Sequence, residues 1–130
     1  MASVNTDKDH QEDMEQKVNL TARERMIRIR TLNDRVRQTG RGGRQCFTPG
    51  ICELGLPDML AIRQIVAAYD QLDEGSDPYG EHDFGKITYA GMNIFWKIDY
   101  YDAELSQHSP DPCNAAMTQR VLTIMLAEEY

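Results

Sequence analysis

The amino-acid sequence predicts an α+β fold: a small antiparallel sheet of about three strands with two α-helices packed on one face. Three observations predict it. Residues 22–38 and 57–72 place apolar side chains at helical spacing, residues 84–101 change to alternation, and residues 121–126 form a short apolar run. Helices and sheets with one apolar face each bury both by stacking in two layers.

Residues 1–19 are polar, acidic and aperiodic. They are expected to be a disordered tail ahead of a single domain over residues 20–130. Thr21-Ala22-Arg23-Glu24 has the form of a capping box, so a helix should start there. Ala22, Met26, Ile29, Leu32 and Val36 share its inner face to about Gln38, and Gly40 supplies a left-handed stop. Ile27 is the one apolar residue on the outer face. Gln45 to Thr48 has the composition of a short strand, and Thr48-Pro49-Gly50 is a turn signal.

Pro57 opens a second helix, with Met59, Ile62, Ile65, Val66 and Tyr69 as its apolar face and an end near Leu72. Phe84 to Tyr89 and Met92 to Tyr101 read as strands joined at Ala90-Gly91. A two-residue loop sets Tyr89 against Met92, Ile87 against Ile94 and Gly85 against Trp96, which leaves room for the indole. Val121 to Leu126 is read as a third antiparallel strand, although a helix capped near Asp111-Pro112 fits a run this short almost as well.

At 41% hydrophobic and 27% charged, the chain has the composition of a globular domain rather than a disordered one. No stretch approaches the roughly 18 apolar residues of a membrane span, and the start lacks the apolar centre of a secretory signal. A cytoplasmic location without a membrane partner is expected. Cys46, Cys52 and Cys113 contain no Cys-x-x-Cys spacing, so they are expected to be small buried residues. The net charge of −7 conceals an asymmetry. Residues 20–45 hold eight arginines and two acids, a net +6, whereas residues 46–130 hold four basic and fourteen acidic residues, a net −10. Such opposed patches either match each other internally or form two binding faces.

Several longer motifs carry a resemblance. They are Ile29-Arg30-Thr31-Leu32-Asn33-Asp34, Asp77-Pro78-Tyr79-Gly80-Glu81-His82-Asp83-Phe84-Gly85, and Phe95-Trp96-Lys97-Ile98-Asp99-Tyr100-Tyr101-Asp102. With Ser109-Pro110-Asp111-Pro112 and the segment from Arg120 to Tyr130, they resemble the DUF3768 family of bacterial proteins over roughly residues 20–130. The resemblance implies a cytosolic accessory protein, often of alphaproteobacterial plasmids and other mobile elements. It brings no activity, cofactor or catalytic residue. Cys113 and Asn114 stand where the family's turn has Ala-Asp, which argues against a ligand role for that loop.

Three groups of residues have chemical character. Glu81-His82-Asp83 comes first. Extending the hairpin register sets His82 opposite Asp99 on the solvent face, within reach of a hydrogen bond. Such a pair suits a general base with its orienting carboxylate, making His82, Asp83 and Asp99 the catalytic candidates. With Glu81 or Asp102 added, the donor types suit a divalent metal, but the spacing is not that of a known metal motif and none is expected. The alternative is structural: a loop-to-strand corner in which Asp77 and Asp83 bond nearby amides. Second, Phe95, Lys97 and Tyr101 share a strip of sheet that could stack bases, in an acidic neighbourhood that repels phosphate. Third, Arg23, Arg30 and Arg37 recur every two helical turns, about 10 Å apart, as candidate phosphate contacts.

No glycine-rich loop has the lysine and following helix of a phosphate cradle, so no nucleotide or other cofactor is expected. The leading expectation is a non-enzymatic module that binds a protein partner. A small metal-dependent or acid/base hydrolase, or nucleic-acid binding through the arginine helix, are the alternatives.

Overall fold

A computed structural model describes residues 19–73 and 75–130. The tail expected over residues 1–19 therefore falls, but for Asn19, outside the described residues. Helix α1 spans Ala22–Thr39. The Thr21 hydroxyl accepts from the Glu24 amide at 3.1 Å, as the capping sequence requires. Gly40, at φ 77°, ends the helix by donating its amide to the Val36 carbonyl.

Strand β1 (Gly43–Phe47) follows, then a single turn of helix α2 (Pro49–Cys52) and helix α3 (Leu56–Ala67). A long loop leads to strand β2 (Phe84–Tyr89), which is joined to strand β3 (Met92–Tyr101). A second loop leads through a 3₁₀ turn at Ala115–Met117 to strand β4 (Gln119–Leu126). A further 3₁₀ turn spans Ala127–Glu129.

The sheet order is β1-β4-β3-β2, with β1 parallel to β4 and the other pairs antiparallel. The hairpin adopts the expected register: Tyr89 faces Met92, Ile87 faces Ile94 and Gly85 faces Trp96. A β-carbon at Gly85 would overlap the buried indole, so this glycine fixes the register sterically. Ala90 and Gly91 both have positive φ, 49° and 78°, the backbone of a tight hairpin turn whose twist matches the strands. Residues 119–126 form the predicted antiparallel strand rather than a helix.

Val36 of α1, Ile62 and Val66 of α3, Ile94, Trp96 and Ile98 of β3, and Leu122 and Ile124 of β4 make the core between helices and sheet. The intervening β3 residues Phe95, Lys97 and Asp99 occupy the opposite, open face.

The structure corrects four expectations. The sheet has four strands and is mixed, because Gly43–Phe47 pairs in parallel with β4. The short strand read at Gln45 to Thr48 forms two residues earlier, at Gly43–Phe47, and adds to the sheet. Among the described residues from Ala22 on, three helices stand where two were expected, since Pro49 starts a full helical turn at the predicted turn. Helix α3 stops at Ala67, not Leu72, and Arg37 of α1 donates to the carbonyls of Val66 and Ala67 at its end. Ile65 remains 39% exposed, leaving Ile62 and Val66 as the buried face of α3.

Candidate functional site

Helix α1 meets two loops along a seam of buried polar side chains, and most residues with chemical character lie there. The first loop, residues 77–83, precedes β2. The second, residues 109–113, precedes β4.

His82 sits at φ 56°, outside strand geometry. Its Nδ1 lies 2.8 Å from Asp34 Oδ1 on α1, and its Nε2 lies 3.5 Å from Asp77 Oδ2. Its backbone amide donates to both Asp77 oxygens at 3.2 Å. The expected pair with Asp99 does not form. The ladder reaches Asp83, whose carbonyl accepts from the Ile98 amide at 2.8 Å. The left-handed turn at His82 then swings the imidazole to the helix side. Asp99 stays on the open face and pairs with Lys97 at 3.0 Å.

Asn33 forms the next link. Its amide donates to the Glu81 carbonyl at 2.9 Å and to the Tyr100 hydroxyl at 2.7 Å, and its carbonyl accepts from Arg120 Nε at 2.8 Å. Tyr100 in turn donates to the Glu81 carboxylate at 2.9 Å. Arg120 stacks 5.2 Å from the Tyr100 ring centre and donates to the Pro112 carbonyl, which ties the second loop to the same node. Burial pushes the Tyr100 phenol up, because a phenolate there would lose its hydration, and it pulls Arg120 down for the same reason.

The arginines predicted as a phosphate row are largely structural. Arg37 is 2% exposed; it donates to the carbonyls of Val66, Ala67 and Tyr69 at 2.9–3.1 Å and to Asp34 at 3.2 Å. Its guanidinium lies 5.5 Å from the Trp96 ring centre. Arg30 donates to the Gly80 carbonyl at 2.7 Å. Of the three, only Arg23 is exposed. The three do not form one exposed row, because Arg30 and Arg37 are turned to the first loop and to the end of α3. Arg25, not singled out from the sequence, pairs with the buried Asp111 at 2.7 Å.

The other candidates lie apart. Phe95 packs against Phe84 and Tyr130, with ring centres 5.4 and 5.7 Å away, on the open sheet face. Lys97 is held by Asp99, and Tyr101 bridges in antiparallel fashion to His108. Asp102 caps its own loop: it accepts from the Ser106 amide and hydroxyl, each at 2.9 Å, and the amide bond holds its carboxyl below the usual range. Asp83 is pushed up, first by burial and then by the nearby Glu81 charge.

Asp83 and Asp99 help line an open depression of about 390 Å³ with Tyr101, Gln107 and His108. Among the described residues, no group of three or more His, Cys, Asp or Glu side chains is arranged to hold a metal ion. Cys113 is buried as expected, but Cys46 and Cys52 are exposed, since β1 and α2 lie at the rim of the fold.

Asn33, Asp34, Tyr100, Asp111 and Arg120 anchor the seam without having been predicted as anchors. One sequence signal pointed to them. Asn33 falls inside the apolar stripe of α1, four residues after Ile29 and three before Val36. A polar residue there needs partners once buried.

Together these features define a two-layer α+β fold in which His82, Arg30, Arg37 and Arg120 serve as internal ties. Residues 47–129 match the family model described as a protein of unknown function, DUF3768, and the chain belongs to that family. The match begins at the last residue of β1, so α1, with Ile29 to Asp34, lies outside it, unlike the expected span of 20–130. No curated protein and no solved structure matches the chain.

Proposed function

We propose that the chain is a non-enzymatic protein-interaction module. It would be a cytosolic accessory protein of bacterial origin, in keeping with the mobile-element setting that the family resemblance implies. The observation that carries this reading is His82. Both of its ring nitrogens face aspartates from within the fold, Asp34 and Asp77, and neither nitrogen is directed at the depression beside Asp83 and Asp99. A general base must reach the proton it abstracts, and this imidazole is spent on joining α1 to the first loop. Absence of a helix long and apolar enough to cross a membrane, among the described residues, fits the same reading.

The hydrolase alternative requires His82 and Asp99 to converge, and their side chains lie on opposite sides of the sheet. The nucleic-acid alternative, as drawn from Arg23, Arg30 and Arg37, loses two of its three cations to carbonyl contacts. The test is to purify a tagged full-length copy from its own host, treat the lysate with nuclease, and identify what stays bound by mass spectrometry. A stoichiometric protein partner is expected. A partner-free chain that hydrolyses model esters or phosphoesters, and loses that activity on His82→Ala, overturns the reading.

A further inference from the structure

The outward side of α1 carries a second set of arginines that the seam does not use. Arg28 and Arg35 stand seven residues apart, about 10 Å along one face, and both are exposed. Arg41 follows in the turn that closes the helix and is also exposed. Among the described residues, none of the three takes part in an ion pair. Glu24, four residues before Arg28, is the acid this face carries. Ile27, 41% exposed, is an apolar residue on the solvent side of the same helix.

We infer that this face of α1 is the docking surface for an acidic segment of a partner polypeptide, whose carboxylates are received by Arg28, Arg35 and Arg41. The inference rests on the interaction-module reading above. Three features bear on the occupant. All the cations of residues 20–45 are arginines, whose guanidinium donates two parallel N–H bonds to one carboxylate or phosphate, so the patch suits an anion. The patch is short, on a helix of 18 residues about 27 Å long, and residues 46–130 of the same chain carry a net −10. A nucleic acid longer than the patch meets that net negative charge, a repulsion only partly screened within a Debye length of about 8–10 Å. A peptide's charge ends where the stripe ends. Finally, Ile27 gives an apolar peptide side chain something to cover, which a phosphate backbone does not supply.

The test uses the full-length chain and two fluorescent probes of equal length, a glutamate-rich peptide with interspersed leucines and a single-stranded DNA, read by anisotropy at low and physiological salt. The expected result is peptide binding that weakens with salt and drops by roughly tenfold or more in Arg28→Glu/Arg35→Glu. Lys86→Glu, on the open sheet face, should leave the affinity within about twofold. Arg28→Gln/Arg35→Gln repeats the test without charge reversal, in case the double glutamate unfolds α1. Unchanged peptide affinity in the glutamine pair overturns the inference, as does tighter binding of the DNA than of the peptide.

The host capture described above keeps the two readings apart. A partner held equally by wild type and the glutamine pair overturns this surface and leaves the interaction module standing. A wild-type chain that captures no partner overturns the module itself.

Discussion

Arg35 and Arg37 are two residues apart on one helix, yet they belong to different environments. Arg35 is exposed, without an ion pair among the described residues. Arg37 is fully enclosed, with three backbone carbonyls, a carboxylate and an indole around it. Two positions along a helix turn the side chain by roughly 200°, from solvent to seam. An arginine count therefore says little about binding until the neighbours of each guanidinium are known. In this chain the inner edge of α1 converts charge into architecture, and the outer face keeps it available.

The largest test of that contrast is Arg37→Ala. It strips the last carbonyls of α3 of their donor and leaves Asp34 with His82 alone. Urea unfolding should show a loss of about 3–5 kcal/mol, the usual cost of breaking a buried charged network from one side. A loss below about 1 kcal/mol would mean that water or a shifted helix end replaces the guanidinium, and the division between inner and outer arginines would fail.

Gly85→Ala tests the sheet beneath the same indole. The added methyl group overlaps Trp96, so the strand or the ring must move. A loss of about 1–3 kcal/mol is expected. An unchanged midpoint would show that Trp96 has a second place to go and that the hairpin register is not sterically fixed.

How much of this was legible follows the range of the interaction. The cap at Thr21, the stop at Gly40, the opening of α3 at Pro57 and the pairing of Gly85 with Trp96 depend on residues close in sequence or on one hairpin, and the sequence reading placed each of them correctly. The parallel pairing of β1 with β4 joins residues about 77 apart, such as Gly43 with Arg120, and nothing local announces it. The seam is similar. Asn33 looks like a flaw in an apolar stripe until Tyr100 and Arg120 reach it from positions 67 and 87 residues away. His82 was misplaced for a different reason: the register was extended two residues past Phe84, the last paired residue of β2, across a backbone turn to positive φ.

His82→Ala is a smaller disturbance of the inner network. It removes the ring that links Asp34 to Asp77 but keeps the amide bonds to Asp77, so about 1–2 kcal/mol should be lost. The effect should be local, with hydrogen exchange quickening over residues 77–83 before it does in β3 and β4. His82→Asn retains a residue that tolerates positive φ and so separates the contribution of the ring from that of the backbone. Uniform quickening across the sheet would show that the first loop is part of the core rather than tied to it.

Glu129 is an exposed counterpart to these buried ties. Its carboxylate accepts from the Thr48 hydroxyl at 2.6 Å and from the amides of Gly50 and Leu126 at 3.0 and 2.9 Å, which hold it below its ordinary value of 4.5. The contribution is complete above that value and is lost as pH falls through the lowered one, because the unfolded chain takes up the proton first. Melting temperatures between pH 7 and pH 3 should therefore fall less steeply in Glu129→Gln than in wild type. Parallel profiles would mean that the C-terminal turn is released before the domain unfolds.

The smallest stability effect is expected where the docking proposal needs it. Arg35→Ala removes a cation with no partner among the described residues and exchanges a long side chain for the best helix former, so its unfolding free energy should stay within about 0.5 kcal/mol of wild type. This near-silence completes the contrast with Arg37. If Arg35→Ala instead costs more than about 1 kcal/mol, the outer arginines are structural as well. The basic face would then be internal charge matching to the acidic body, and a fall in peptide affinity in Arg28→Gln/Arg35→Gln would report a damaged helix rather than a lost contact.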